Sequence, residues 1–276
     1  MEKLDGIILP GGESTAMGLI GTNTTSHNGQ TMWTALQAFS QSKPTWGTCA
    51  GMILLAEKCI GTSAVIQDGQ ALIGGVDITV CRNYFGSQIS SFEMDTPAPP
   101  LTNATTTTTT KPYPGIFIRA PAILSAGPGV TVLGKVVATP CSQAAVVLHE
   151  LQKKIEAGEN VVQMGVVDSL QRDETGIHYK VCMEKTVTSS PEEAEEEKKE
   201  SHSNHGGDDE TIPTQQVIRL PGAANGTNAR EVICAVQKDN LLCTAFHPEI
   251  TDDYRWHQYF VQQMVLAGKS SNNERS

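Results

Sequence analysis

Residues 44–57 read PTWGTCAGMILLAE, and this stretch decides which fold the chain can adopt. A short run ends in GTCAG at 47–51, and an apolar helix pattern follows. Glycines on both sides of one residue allow a tight turn and a close approach of neighbouring backbone. The stretch therefore predicts a strand, a sharp turn and a helix. Cys49, in the turn, is either a core thiol in a bend or a nucleophile held above it.

The residues before this stretch indicate a repeating order of strands and helices. Leu4–Leu9 is a short apolar run closed by PGG at 10–12, so it predicts a buried strand. Ser14 or Thr15 is expected to cap the helix that follows. Thr31–Gln41 has apolar residues at helical spacing and predicts a second helix. This order is typical of an α/β fold with a mostly parallel sheet flanked by helices.

Later segments add strands and two more helices. The pattern predicts strands at Gly75–Cys81, Gly86–Glu93, Gly115–Arg119 and Ile177–Met183, a helix face of Ala144, Val147, Leu148, Leu151 and Ile155, and a hairpin at Glu231–Phe246 that turns at 238–240. Thr251 is expected to cap a last helix, whose apolar face carries Trp256, Phe260 and Met264. We expect a single domain over residues 1–268.

Two segments interrupt this pattern. Residues 96–114 are rich in Pro and Thr and predict a loop without core residues. Residues 136–230 predict a larger, partly disordered insertion, and its strongly acidic part is 184–210. A disordered tail is expected at 269–276.

The composition excludes several classes of function. The formal net charge of −10 argues against a surface for nucleic acid or for an anionic membrane. Seven cysteines are scattered without a Cys-x-x-Cys pair, which favours reduced thiols over a zinc cluster or a disulfide framework. No apolar run is long enough for a signal peptide or a membrane span. We therefore expect a cytoplasmic location.

Two further stretches carry chemistry that could act together with Cys49. HPE at 247–249 follows an apolar strand, so His247 can act as a base and Glu249 can orient its imidazole. A His-x-Glu sequence is, however, also common on ordinary surfaces. PGGES at 10–14 offers approachable backbone N–H groups that suit an oxyanion hole, and it can equally be an ordinary glycine-rich turn. It lacks the Gly-Lys-Ser/Thr ending of a phosphate loop, which argues against nucleotide binding.

These stretches together resemble the triad-type (class I) glutamine amidotransferases, and among them the glutaminase subunits of pyridoxal 5′-phosphate synthase. The resemblance is carried by GIILPGGEST at 6–15, GTCAG at 47–51, RNYFGSQISSFE at 82–93, FIRAP at 117–121 and FHPEITDD at 246–253. GTCAG and HPE indicate only the class, whereas LPGGEST, RNYFGSQ and FIRAP in this order are more specific. The resemblance covers residues 1–135 and 231–268 and implies a flavodoxin-like, three-layer fold.

The resemblance also implies roles for individual residues. Cys49 corresponds to the nucleophile, His247 to the base and Glu249 to the carboxylate that orients the base. The positions that contact glutamine correspond to Gly12, Glu13, Ser14, Arg82, Ile118 and Arg119, and the oxyanion hole corresponds to the backbone of Gly12 and Ala50.

The implied reaction is acyl transfer. The thiol of Cys49 attacks the side-chain amide of L-glutamine, and His247 takes the thiol proton and returns it to the leaving ammonia. Water then hydrolyses the thioester to glutamate. A guanidinium at Arg82 or Arg119 suits the substrate α-carboxylate, and Glu13 suits the α-ammonium.

In the family, the ammonia passes to a separate barrel-type synthase subunit within a hetero-oligomer, and the glutaminase subunit needs no metal or cofactor. The resemblance starts at the second strand of the family, so we expect the usual first strand, loop and helix to be missing. Two other classes stay open at this point. One is a Cys-His-Glu peptidase or hydrolase of similar fold, and the other is a non-catalytic interaction subunit.

Overall fold

A computed structural model describes most of the chain outside the acidic segment. The described residues are 3–62, 69–86, 91–101, 111–165, 171–173, 176–178, 184–186 and 229–267. Within these ranges, no helix is long and apolar enough to cross a membrane.

Strands and helices alternate in the first part of the chain, and strands dominate afterwards. The first part contains β1 (Ile7–Leu9), α1 (Ser14–Asn23), α2 (Met32–Ser40), β2 (Thr45–Thr48), α3 (Ala50–Leu55), β3 (Ala56–Thr62) and β4 (Val76–Cys81). The middle part contains β5 (Ser91–Thr96), β6 (Tyr113–Ile118), β7 (Ala122–Ala126), β8 (Thr131–Ala138), α4 (Ser142–Glu156) and β9 (Val161–Gly165). The last part contains β10 (Gln171–Asp173), β11 (Gly176–His178), β12 (Glu184–Thr186), β13 (Arg230–Lys238), β14 (Leu241–Thr244), a 3₁₀ turn (Pro248–Ile250), α5 (Arg255–Tyr259) and its π-helical continuation (Phe260–Leu266).

The main sheet is mixed. Its order in the described part of the chain is β1-β2-β14-β13-β7-β4-β3-β9-β12, and β8 pairs with β13 outside this path. β1, β2 and β14 are parallel at one end, and β4, β3 and β9 are parallel at the other. Between these groups, β13 and β7 run antiparallel to their neighbours. The sheet is therefore not mostly parallel, because the strand–helix alternation behind that expectation ends after β4.

Several local predictions are confirmed. The helix predicted at Thr31–Gln41 is present as α2, and the Thr31 hydroxyl caps it by accepting a hydrogen bond from the Thr34 amide. The β13–β14 hairpin turns where the sequence predicts it, at Asp239, which has a φ of +51°. The helix face formed by Trp256, Phe260 and Met264 is buried, as expected for the core side of the last helix.

The two predicted helix caps near the site are wrong. α1 is capped by Glu13 rather than by Ser14 or Thr15, because a carboxylate one residue earlier reaches the free amides of the first turn. Thr251 caps no helix, since α5 begins only at Arg255. The Thr251 hydroxyl instead accepts a hydrogen bond from the amide two residues on, which closes a turn.

Helices cover both faces of β2 near its end. Trp46 points to one face and packs against the rings of His257 and Phe260, with centroids 5.2 and 5.6 Å away. Gly47 points to the other face, since side chains alternate along a strand. A Cβ at Gly47 would lie 2.5 Å from the carbonyl carbon of Gly51 in α3, so only glycine allows this close approach.

The first part of the 136–230 segment belongs to the main sheet. β9 pairs in parallel with β3, and the predicted face of α4 is buried except for half-buried Ile155. Beyond β9, the structure describes β10, β11, β12 and residues 229–230 of the segment, and most of the acidic 184–210 stretch lies outside the described residues. The tail 269–276, residues 102–110 of the Pro/Thr-rich loop and most of the predicted strand Ile177–Met183 also lie outside the described residues. The expectation that 96–114 holds no core residue is wrong at its end, because Tyr113 begins β6 and its ring is buried in the core.

Candidate active site

Three neighbouring parallel strands bring the predicted catalytic stretches together. β1 pairs with β2, and β2 pairs with β14, so their last residues lie side by side. The carboxyl ends of parallel strands lie at the same edge of a sheet, where loops form binding sites. The turn at 10–14, Cys49 and His247 each follow one of these strands and therefore meet at this edge.

The turn at Cys49 has the strained geometry of a nucleophile elbow. Cys49 has a φ of +49° and a ψ of −105°, and its amide donates a hydrogen bond to the Thr244 carbonyl at 2.8 Å. A non-glycine residue in this region of φ is held there only by its surroundings. Gly51 supplies part of this support, because a Cβ there would lie 2.1 Å from the Leu9 carbonyl oxygen. The strained backbone at Cys49 therefore costs conformational free energy, and it holds the thiol in one position.

A pocket of about 180 Å³ opens beside this thiol. It is lined by Gly12, Glu13, Ser14, Cys49, Ala50, Ile53, Arg82, Asn83, Ile118, Arg119, Pro121 and His247. Every predicted site residue is in this set except Glu249, which contacts Nδ1 of His247. The sequence analysis missed three lining residues. Asn83 and Pro121 are part of the RNYFG and FIRAP sequences that were already singled out, and Ile53 is one helical turn beyond Ala50.

His247 is held from three sides. Its Nδ1 lies 2.7 Å from Oε1 of Glu249, and its backbone amide donates to the Ile116 carbonyl at 2.8 Å. Gly11 faces the imidazole ring, and a Cβ there would lie 2.3 Å from Cε1. The Nε2 atom is buried without a hydrogen-bond partner among the described residues and faces the pocket that contains Cys49. The ring is thus oriented by Glu249 and keeps one nitrogen available.

The charge state of His247 follows from its neighbours. Burial lowers the pKa of His247, but interaction with Cys49 and Glu249 outweighs burial and raises the pKa from 6.5 to about 10. Burial would raise the pKa of Glu249, and the hydrogen bond from His247 reverses this and lowers it. The arrangement therefore favours an imidazolium next to an ionised carboxylate at neutral pH.

The predicted substrate-binding charges form one ion pair. Nη2 of Arg82 lies 3.1 Å from Oε1 of Glu13 and also donates to the Thr15 hydroxyl at 3.4 Å. Burial would raise the pKa of Glu13, but hydrogen bonds from the Ala16 and Thr15 amides and the charge of Arg82 lower it below its usual value. Nη1 of Arg82 is buried and has no hydrogen-bond partner in the described part of the chain. Arg82 therefore has donors left over for a ligand.

Backbone strain is concentrated around the pocket. Cys49, Asn83 and Arg119 are non-glycine residues with a positive φ, and all three line it. Such conformations cost free energy and persist where the surrounding structure enforces them, often at functional sites. Within the described ranges, no group of three His, Cys, Asp or Glu side chains is placed to hold a metal ion.

Comparisons with known proteins identify the family of this chain. The family model of the SNO glutamine amidotransferase family matches residues 1–157 and 212–266. A probable pyridoxal 5′-phosphate synthase subunit PDX2 from Arabidopsis thaliana is 34% identical over 273 residues, which cover 98% of this chain and 76% of the plant protein. The probable subunit pdx2 from Dictyostelium discoideum is 31% identical, over 94% of this chain and 71% of that protein.

A bacterial relative extends this similarity. The pyridoxal 5′-phosphate synthase subunit PdxT from Carboxydothermus hydrogenoformans is 28% identical, over 96% of this chain and 80% of the bacterial protein. The family model alone matches well over half of the chain, and the plant relative is similar along almost all of it. This chain therefore belongs to the SNO glutamine amidotransferase family.

Proposed function

We propose that this chain is the glutaminase subunit of a pyridoxal 5′-phosphate synthase. It hydrolyses L-glutamine to glutamate and ammonia and delivers the ammonia to a synthase subunit for vitamin B6 biosynthesis. The observation that carries the proposal is the pocket in which Cys49 and His247 lie next to Arg82. Family membership and the names of the relatives supply the pathway.

Recognition of glutamine uses the ion pair at the pocket. A buried guanidinium N–H without a partner is costly, so Nη1 of Arg82 is a natural donor to the substrate α-carboxylate. The Glu13 carboxylate, ionised by its surroundings, is placed to accept the α-ammonium. Arg119 and Ile118 line the same pocket from the end of β6 and limit the space around the substrate. This division of charges suits a free amino acid.

The chemistry divides among three side chains and two amides. The proton of the Cys49 thiol is proposed to lie on Nε2 of His247 before the attack, so that the sulfur attacks the amide carbon of the substrate as the thiolate of an ion pair. The raised pKa of His247 keeps that proton available for the leaving ammonia. Backbone amides of Gly12 and Ala50 are proposed to stabilise the oxyanion, and Glu249 holds the imidazole through the 2.7 Å contact. Water then releases glutamate from Cys49.

The partner side of the proposal goes further. The synthase subunit is proposed to be barrel-shaped and to form a hetero-oligomer with this chain. The complex is proposed to lie in the cytoplasm. The fold of this chain is proposed to have three layers. The packing of α3 and α5 on opposite faces of β2 supports that layering.

Steady-state release of glutamate tests the proposal directly. The chain is assayed with L-glutamine, alone and with a synthase subunit, beside Cys49→Ala and the matched control Cys141→Ala. Release by wild type and Cys141→Ala in the presence of the synthase subunit, and none by Cys49→Ala, is the expected result. Absence of release from the wild-type complex would leave the non-catalytic reading, and cleavage of peptides without glutamine hydrolysis would favour the peptidase reading.

A further inference from the structure

A buried pair of glutamine side chains lies behind the active-site turn. Gln70 precedes β4 and is 2% exposed, and Gln163 in β9 is 8% exposed. The Gln70 amide donates to Oε1 of Gln163 at 3.0 Å, and Nε2 of Gln163 donates to the Gln70 carbonyl at 3.1 Å. This reciprocal pair fixes the main chain at Gln70 in the way that two strand hydrogen bonds would.

The side chain of Gln70 carries this constraint to the pocket. Its Nε2 donates to the carbonyl of Ser14 at 2.9 Å, and its Oε1 accepts from the Ser14 hydroxyl at 3.2 Å. α1 approaches this amide closely at Gly18, where a Cβ would lie 3.2 Å from Nε2 of Gln70. The carbonyl and the hydroxyl of Ser14 are therefore both bound by one buried side-chain amide.

The active-site turn is held at its two ends. At its start, the Pro10 carbonyl accepts a hydrogen bond from the Gly51 amide at 3.1 Å, and at its end Ser14 is bound to Gln70. Gly12 lies between them with a φ of +137°, and a Cβ there would meet nothing nearer than the Met17 sulfur at 3.9 Å. Close packing at Gly12 itself therefore does not fix it, and its direction depends on restraints at the neighbouring residues, of which the link from Ser14 to Gln70 is one.

We propose that Gln70 and Gln163 are positioning residues that set the direction of the Gly12 amide for the oxyanion. Neither side chain lines the pocket, so both act through Ser14. Strand β9, which comes from the 136–230 segment, is thereby part of the support of the active site. This inference rests on the proposed glutaminase function.

A misdirected oxyanion donor affects the transition state more than the bound substrate. Gln163→Met removes both hydrogen bonds to Gln70 while keeping an unbranched side chain of similar length. We expect kcat to fall on the order of tenfold and KM to change less than about twofold. Gln163→Glu keeps the acceptor for the Gln70 amide and loses the donor, so its kcat should lie between wild type and Gln163→Met.

Gln163 acts on Ser14 only through Gln70, so kcat of the double variant gives a second test. Once Gln70→Leu has cut the link to Ser14, adding Gln163→Met should lower kcat no further. Two independent structural defects would instead multiply their effects. The matched control is Thr62→Val, which removes the hydrogen bond from the buried Thr62 hydroxyl to the Met164 carbonyl at 3.3 Å. This bond joins β3 to β9 and does not lead to Ser14.

The experiment measures glutamate release and thermal unfolding for these variants in complex with the synthase subunit. Thr62→Val is expected to lower Tm while leaving kcat unchanged. An unchanged kcat for folded Gln163→Met and Gln163→Glu would overturn the inference, as would an equal loss of kcat in Thr62→Val or a multiplied loss in the double variant. An inactive wild-type complex would instead refute the proposed function itself.

Discussion

At the scale of single residues, the surroundings of Cys49 differ from those of the other cysteines, so its thiol is expected to differ in reactivity. Burial raises the pKa of Cys59 and of Cys234 to about 12, so these thiols stay protonated and unreactive. Cys49 differs because it lines a pocket beside His247. Cys141 is half-buried at the start of α4, where its thiol donates a hydrogen bond to the Asn83 carbonyl at 3.3 Å.

Alkylation tests this separation. With iodoacetamide at about pH 7, we expect Cys49 to be modified before Cys141, because an imidazole close to a thiol promotes the thiolate. His247→Asn should slow the modification of Cys49 and leave that of Cys141 unchanged. Peptide mass spectrometry at timed intervals measures both rates in one sample. Equal slowing at both cysteines would point to a general loss of structure.

The pair of His247 and Glu249 predicts a pH dependence. Removing the carboxylate charge in Glu249→Gln should lower the pKa of His247 from about 10 towards its ordinary value of 6.5. An NMR titration of the His247 ring in both proteins measures the change. An unaltered titration would show that the carboxylate does not set the charge of the imidazole.

The same pKa shift has a consequence for stability. Because the folded state raises the pKa of His247, its contribution is complete below pH 6.5 and is lost as the pH rises through about 10. The difference in free energy of unfolding between wild type and His247→Asn should therefore shrink from about pH 6 to about pH 10. Urea unfolding at several pH values measures it. A difference that grows over this range would contradict the assignment.

At the scale of elements, the elbow between β2 and α3 depends on close backbone contact. Gly51→Ala would place a methyl group 2.1 Å from the Leu9 carbonyl oxygen, so β1 and α3 must separate. We expect a loss of about 3 kcal/mol in the free energy of unfolding, at the upper end of overpacking effects. Gly134→Ala is the control, since its methyl would lie 3.2 Å from the Cys234 sulfur, which needs to move by only a few tenths of an ångström. Equal losses in urea unfolding would refute the argument.

Local signals in the sequence were enough to predict the elements that carry the site. Glycines that flank Cys49 and the break after β1 mark turns that few other residues can form. The caps were less predictable, because neighbouring side chains compete for the free amides of α1, and the Ser14 hydroxyl is instead bound by Gln70, far along the chain. The mixed sheet could not be predicted for a similar reason: β7 and β13 take their places through pairing between distant segments.

The link through Gln70 was equally hidden from the sequence. The partners of Gln70 are Ser14, 56 residues before it, and Gln163, 93 residues after it. No local sequence pattern marks a glutamine with partners at such distances. Long-range hydrogen bonds of this kind become visible only when the strands are in register. Most of the residues that line the candidate site could thus be predicted from the sequence, whereas the residues that support them, Gln70 and Gln163, could not.

At the scale of the whole molecule, the 136–230 segment should divide into two parts. Deleting 189–210, which is acidic and poor in apolar residues, is expected to leave Tm and glutamate release unchanged. Deleting β9 should unfold the chain, because this strand pairs with β3 in the main sheet. Thermal unfolding and activity of the two variants test this division. Loss of folding in the shorter deletion would give the acidic stretch a structural role.

Because β14 lies inside the sheet, its late place in the order of synthesis limits when glutaminase activity can first arise during translation. This strand is made after the other described strands of the main sheet, yet it inserts between β2 and β13, and its Thr244 carbonyl accepts a hydrogen bond from the Cys49 amide. A nascent chain on the ribosome exposes its nucleophile long before the base has been translated. A chain that has not yet been translated as far as His247 therefore lacks the base, and a glutaminase-competent molecule must already have closed the β13–β14 hairpin.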